Sequence, residues 1–164
     1  MREDEIYILT KNWFVRREFK VLGGQPPRGT DRHPVIEIKS RTHNEKGSRS
    51  SFKPDLVVAA PHNLLLVECK PEFNGDDVDK LLEISQSAPR RQSLVEEIRQ
   101  RRSLERHNHS LAQLSNELIS RRIRCCISYS GTHHPVEIIY SLVFENRDSD
   151  GQLFLGDSLV TSFT

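Results

Sequence analysis

Two short apolar runs, Leu56-Val57-Val58-Ala59-Ala60 and Leu64-Leu65-Leu66-Val67, limit the folds open to this chain more than any other feature. Side chains of a strand alternate between its two faces. A run apolar at every position is therefore covered on both sides and lies inside a sheet, not at a wet edge. Only Pro61, His62 and Asn63 separate the runs, and so short a connection makes an antiparallel hairpin. With Ala60 and Asn63 flanking a Pro61-His62 turn, the register sets Ala59 against Leu64 and, at the open end, Asp55 against Glu68. A four-residue loop flanked by Ala59 and Leu64 gives the same register. The two carboxylates then share one face with Cβ atoms about 4.5–5.5 Å apart. Lys70 points to that face as well, and Cys69 to the other.

Elsewhere the pattern mixes helix and strand. A short helix is expected over residues 2–12, with Ile6, Leu9 and Tyr7 on one side. Trp13, Val15, Phe19 and Val21 alternate as a strand ending at Gly23-Gly24. A loop follows over 25–31, then a strand over 35–39 and a polar loop over 40–51. Acids near Asp76 suit a helix N-terminus, with Val78, Leu81, Leu82 and Ser85 facing inward. A second helix is expected from Gln92 to about Arg102, and Ser110 with Gln113 opens a third. Strands over 123–129 and 136–144 complete an α/β domain with a mixed central sheet between helices. At 164 residues the chain reads as a single domain, 1–164, with its core over about 1–130 and a C-terminal strand and tail over 131–164.

Composition excludes several classes. Apolar residues are 35% and charged residues 29%, which suits a polar protein with one modest core, and no apolar run reaches the roughly 18 residues of a membrane span. Three cysteines, two adjacent at Cys125 and Cys126, make neither a disulfide framework nor a Cys-x-x-Cys zinc pair. A cytoplasmic, reducing setting is expected. The net charge is +1, but it is segregated. Residues 28–53 hold seven bases against three acids, and 89–124 hold nine arginines against four glutamates. Such segregation makes a surface for a polyanion. His107-Asn108-His109 and His133-His134 lack acidic or cysteine partners nearby and are read as loops.

Like charges opposite one another destabilise a sheet, so Asp55 and Glu68 need a compensating charge. A shared proton or a divalent cation supplies it, and Mg²⁺ is held by one or two carboxylates with waters and phosphate oxygens. With the Lys70 ammonium beside it, this set suits phosphodiester hydrolysis by an activated water.

Pro54-Asp55, twelve intervening residues, then Glu68-Cys69-Lys70 resembles the signature of the PD-(D/E)xK nuclease superfamily, closely over about residues 52–86 and loosely over 1–130. The resemblance implies a restriction-endonuclease-like fold and a Mg²⁺-dependent DNA endonuclease, with Mn²⁺ as a substitute metal. It makes Asp55 and Glu68 metal ligands, the Cys69 carbonyl a further ligand and Lys70 the water-positioning residue. It also implies an extra acid from the first helix, for which Glu5 is the choice and Glu18 the second. Glu72, Lys80, Gln86 and Gln92 are weaker candidates for auxiliary roles. DNA is the expected substrate, met by a homodimer or with a partner subunit. Restriction, transposon-end cleavage within a larger assembly, and a nucleic-acid-binding module without hydrolysis are the functions the resemblance leaves open.

Overall fold

The computed structural model describes residues 1–39, 51–60, 63–100 and 123–163. Helix α1 spans Glu3–Arg16 and buries Ile6, Tyr7, Thr10, Trp13 and Phe14. Their spacing of three and four puts them on one helical stripe, and Val15, off the stripe, is 55% exposed. The strand expected from Trp13 therefore does not form there. Trp13 and Phe14 extend the stripe begun at Ile6, and that longer period overrides the local alternation. Glu18 then adopts a left-handed backbone (φ 62°), turning the chain into β1, Lys20–Gly24.

Seven strands form one sheet in the order β1-β4-β5-β6-β7-β8-β9, and β2 (Ile38–Lys39) pairs with β3 (Ser51–Phe52) separately. The central hairpin joins β4 (Leu56–Ala59) to β5 (Leu64–Cys69), with Ala59 opposite Leu64 and Leu56 opposite Val67. This is the register expected from the apolar runs. Ala60 N–H closes the pair on the Asn63 carbonyl at 2.8 Å, while Pro61 and His62 lie outside the described residues. All ten strand residues of the hairpin are buried. β5 runs parallel to β6 (Ile123–Ser130), and β6 parallel to β7 (Tyr140–Phe144). The expected strand at 136–144 thus starts only at Tyr140. Two further strands, β8 (Gln152–Leu155) and β9 (Ser158–Leu159), continue the sheet antiparallel, so the C-terminal residues belong to the main sheet.

Each face of the sheet carries its own core. Leu56, Val58, Leu65 and Val67 pack with α1 and Phe163 on one side. Val57, Leu64 and Leu66 pack on the other with α2 (Gly75–Gln86) and α3 (Ala88–Gln100). Asn74 caps α2 by accepting from the Asp76 N–H at 3.0 Å, as Asn at this position should. α3 begins four residues before the expected Gln92, and the third helix at Ser110 lies outside the described residues. The molecule is an α/β protein with a mixed seven-stranded sheet and, among the described residues, three helices. No described helix is long and apolar enough to cross a membrane.

Candidate active site

The carboxyl end of β5 is where charge collects. Glu68 continues the Leu66 face toward α2 and is only 3% exposed. Asp55, one residue before β4, lies across from it, and its Oδ2 accepts the Cys69 N–H at 2.7 Å. Cys69 itself turns its thiol into the α1-side core. Lys70 reaches beyond the strand end to three carboxylates: Glu3 Oε1 at 3.0 Å, Glu68 Oε2 at 3.8 Å and Asp77 Oδ2 at 4.0 Å. The N-termini of α1 and α2 supply Glu3 and Asp77, beside the carboxyl ends of the parallel strands β5 and β6. In open α/β sheets this is where ligands bind.

Burial sets the electrostatics. Desolvation pushes the carboxyls of both Asp55 and Glu68 well above the usual range. The field of Asp55 adds to it at Glu68, and at Asp55 desolvation prevails over the Cys69 N–H bond and the Lys70 ammonium, which pull the other way. Glu68 Oε1 is buried with no hydrogen-bond partner, a costly state for a polar atom. Burial alone would lower Lys70, but its bond to Glu3 and the fields of Asp77 and Asp55 outweigh this and raise it. The lysine is thus held as an ammonium.

This donor set fits a hard divalent cation. Among the described residues no group of three or more His, Cys, Asp or Glu side chains is placed to hold a metal ion by itself. A raised acid pair with an orphaned oxygen instead suits an ion completed by water, carbonyl and phosphate oxygens, as Mg²⁺ prefers.

The sequence candidates separate clearly. Asp55, Glu68 and Lys70 come together with the Cys69 backbone. Glu5 does not join them: its carboxylate pairs with Arg147 and with Arg2, and Glu3, one helical half-turn away, reaches Lys70 in its place. Residues two apart on a helix face different ways, so only one acid of Glu3-Asp4-Glu5 can point at the strand end. Glu18 sits exposed in the turn after α1, and Glu72, Gln86 and Gln92 are exposed as well. Asp77, read from sequence only as a helix-terminus acid, is buried and held by Asn74 Nδ2 at 3.0 Å. Of the histidines, His133 stacks on Phe154 at 3.9 Å and His134 on Phe73 at 4.7 Å; His107 and His109 lie outside the described residues.

A second polar cluster braces the site from the α1 side. Asp31 accepts from Lys11 at 2.6 and 2.7 Å and from the Tyr7 hydroxyl. Burial would raise Asp31, but these bonds bring it down to about 2. They tie the 25–37 segment to α1, and Gln25 N–H from that segment holds the Asp55 carbonyl at 2.8 Å. Adding a Cβ at Gly24 would drive it into the Tyr7 hydroxyl.

No family model matches this chain, and neither the curated proteins nor the solved structures yield a match. The functional reading therefore rests on the site.

Proposed function

We propose that the protein is a Mg²⁺-dependent DNA endonuclease of the PD-(D/E)xK type, with a restriction-endonuclease-like fold. One observation carries the reading: two buried carboxyls, Asp55 and Glu68, meet at the open end of a hairpin, one oxygen of Glu68 without a hydrogen-bond partner and the Lys70 ammonium beside them. Asp55 and Glu68 would hold the metal, with the Cys69 carbonyl as a further ligand. When bound, Mg²⁺ would neutralise phosphate charge and acidify a water. Because Glu3, Asp77 and Asp55 keep Lys70 protonated, the lysine serves as a hydrogen-bond donor that orients the attacking water and stabilises charge on the phosphate, not as the base. Glu3 is the positioning residue for Lys70. Cutting both strands calls for two such sites, supplied by a homodimer or a partner subunit, and buried free thiols at Cys69, Cys125 and Cys126 suit a reducing cytoplasm.

The test is a plasmid assay with Mg²⁺ and with EDTA. Wild-type protein is expected to nick or linearise supercoiled DNA only with the metal. Lys70→Ala should lose about 10²–10⁴-fold, the range for a group that handles the proton or charge of the reacting water. Plasmid that stays supercoiled with wild-type protein and Mg²⁺ would refute the reading.

The same assay separates the two helix acids. Glu3→Gln should lower cleavage about 10–100-fold, as for outer residues that orient a metal-site group. Glu5→Gln breaks only the contacts to Arg147 and Arg2 and should cut at close to the wild-type rate. Equal losses in both variants would contradict the assignment of Glu3.

A further inference from the structure

Helix α2 turns a second lysine toward the acid pair. Asp77 and Lys80 are three residues apart and so share a face, and the Asp77 carboxylate lies between two ammonium groups. Its Oδ2 is 4.0 Å from Lys70 Nζ and its Oδ1 is 4.0 Å from Lys80 Nζ. Asn74 fixes that carboxylate from the helix cap. On its other flank Lys80 Nζ stands 4.5 Å from the centre of the Phe52 ring, within the range of a cation–π contact. The ammonium thus has both a carboxylate and an aromatic face within reach. A separation of 4.0 Å is too long for a hydrogen bond, and among the described residues Lys80 closes none. An ammonium carries three donors, and the Lys80 side chain is 48% exposed, so these donors face solvent at the rim of the site.

Charge gives this placement a purpose. Glu3, Asp55, Glu68 and Asp77 set four carboxylates around Lys70, a field that repels a phosphate backbone. Lys80 is a second cation whose field reaches both Asp55 and Glu68.

We propose that Lys80, seated by Asp77 and Phe52, binds a non-bridging oxygen of the DNA backbone at a phosphate next to the one that is cut. The assignment rests on the nuclease reading and adds a substrate contact to it. Lys70 serves the reacting water, Lys80 the strand, and Asp77 keeps the two ammonium groups apart.

Duplex DNA binding without metal, followed by fluorescence anisotropy in EDTA over a salt series, separates the possibilities. Lys80→Ala and Lys80→Gln should each weaken binding about tenfold. They should also reduce the slope of log affinity against log salt by about 0.9, the share of one phosphate contact. Lys80→Arg should restore most of the affinity, and KM for cleavage should rise with the dissociation constant. Thermal melts of each variant confirm that it is folded. Unchanged affinity and slope in both neutral variants, with wild-type protein still cutting, would overturn the role of Lys80 alone. A wild-type protein that neither binds nor cuts DNA would overturn the nuclease reading and this inference with it.

Discussion

Glu68→Gln should give a protein that melts higher than wild type and cuts no DNA. The native state carries two desolvated carboxyls in one another's field, with one oxygen left without a partner. Their pKa values lie above those of the unfolded chain, so between the two values the native state binds more protons than the unfolded one. Stability then falls as pH rises through that window. Glutamine keeps the shape of Glu68 and removes its charge, which frees Asp55 from repulsion. A gain of about 1–2 kcal/mol near pH 8 is expected, or about 2–8 °C in melting temperature for a chain of this size. The gain should shrink toward pH 5, where the wild-type pair holds its protons. Cleavage should drop about 10³-fold or more, since an amide is a poor ligand for a hard cation. Mn²⁺ should raise the melting temperature of wild-type protein, more strongly at pH 8 than at pH 5, and leave the variant unmoved. Melting curves at both pH values, with and without Mn²⁺, check all of this. A variant that melts lower than wild type at pH 8, or still gains from Mn²⁺, would remove Glu68 from the metal site.

The hairpin was legible in the sequence because burial on both faces leaves a strand no other place in a sheet, and a three-residue gap leaves almost no freedom of register. Asp55, Glu68 and Lys70 followed from that register by strand alternation alone. The acid from α1 was not legible. Glu3, Asp4 and Glu5 are alike in composition, and the choice among them depends on how far α1 is rotated when Ile6 and Phe14 seat against the sheet. Asp77 was hidden for a related reason: an acid in the first turn of a helix suits the dipole whether or not a lysine faces it. Strands β8 and β9 escaped notice because they are four and two residues long and exist by pairing, β8 with β7 and β9 with β8, a tertiary cause with little local signal.

Trp13 is where local pattern and tertiary packing disagree most, and its removal should cost the most stability. The indole is 3% exposed and donates from Nε1 to the Gly151 carbonyl at 2.8 Å. Phe14 meets its ring edge-on at 5.3 Å, Phe19 stacks at 6.4 Å and Phe163 meets it edge-on at 6.3 Å, while the Arg17 guanidinium lies 4.1 Å above the ring centre. One side chain thus joins α1, the turn into β1, the approach to β8 and the last described residue of the chain. Trp13→Ala should cost about 3–5 kcal/mol for the lost burial and the cavity left behind. Against a total stability of about 5–15 kcal/mol for a domain, that is a large share, readable as a fall in the urea midpoint. Trp13→Phe keeps an aromatic ring but leaves the Gly151 carbonyl without its donor, a loss of about 1–3 kcal/mol. The two variants should therefore rank clearly. Because Phe163 and Gly151 both lean on the indole, limited proteolysis of Trp13→Ala should cut first between residues 145 and 163, before the hairpin opens. Equal stability of the alanine and wild-type proteins, or first cleavage within β4 or β5, would show that the C-terminal strands are held by something other than Trp13. If they do release first, the site at the open end of the hairpin should survive them, since none of Asp55, Glu68, Lys70 or Glu3 touches residues beyond Ser130 in the contacts described above.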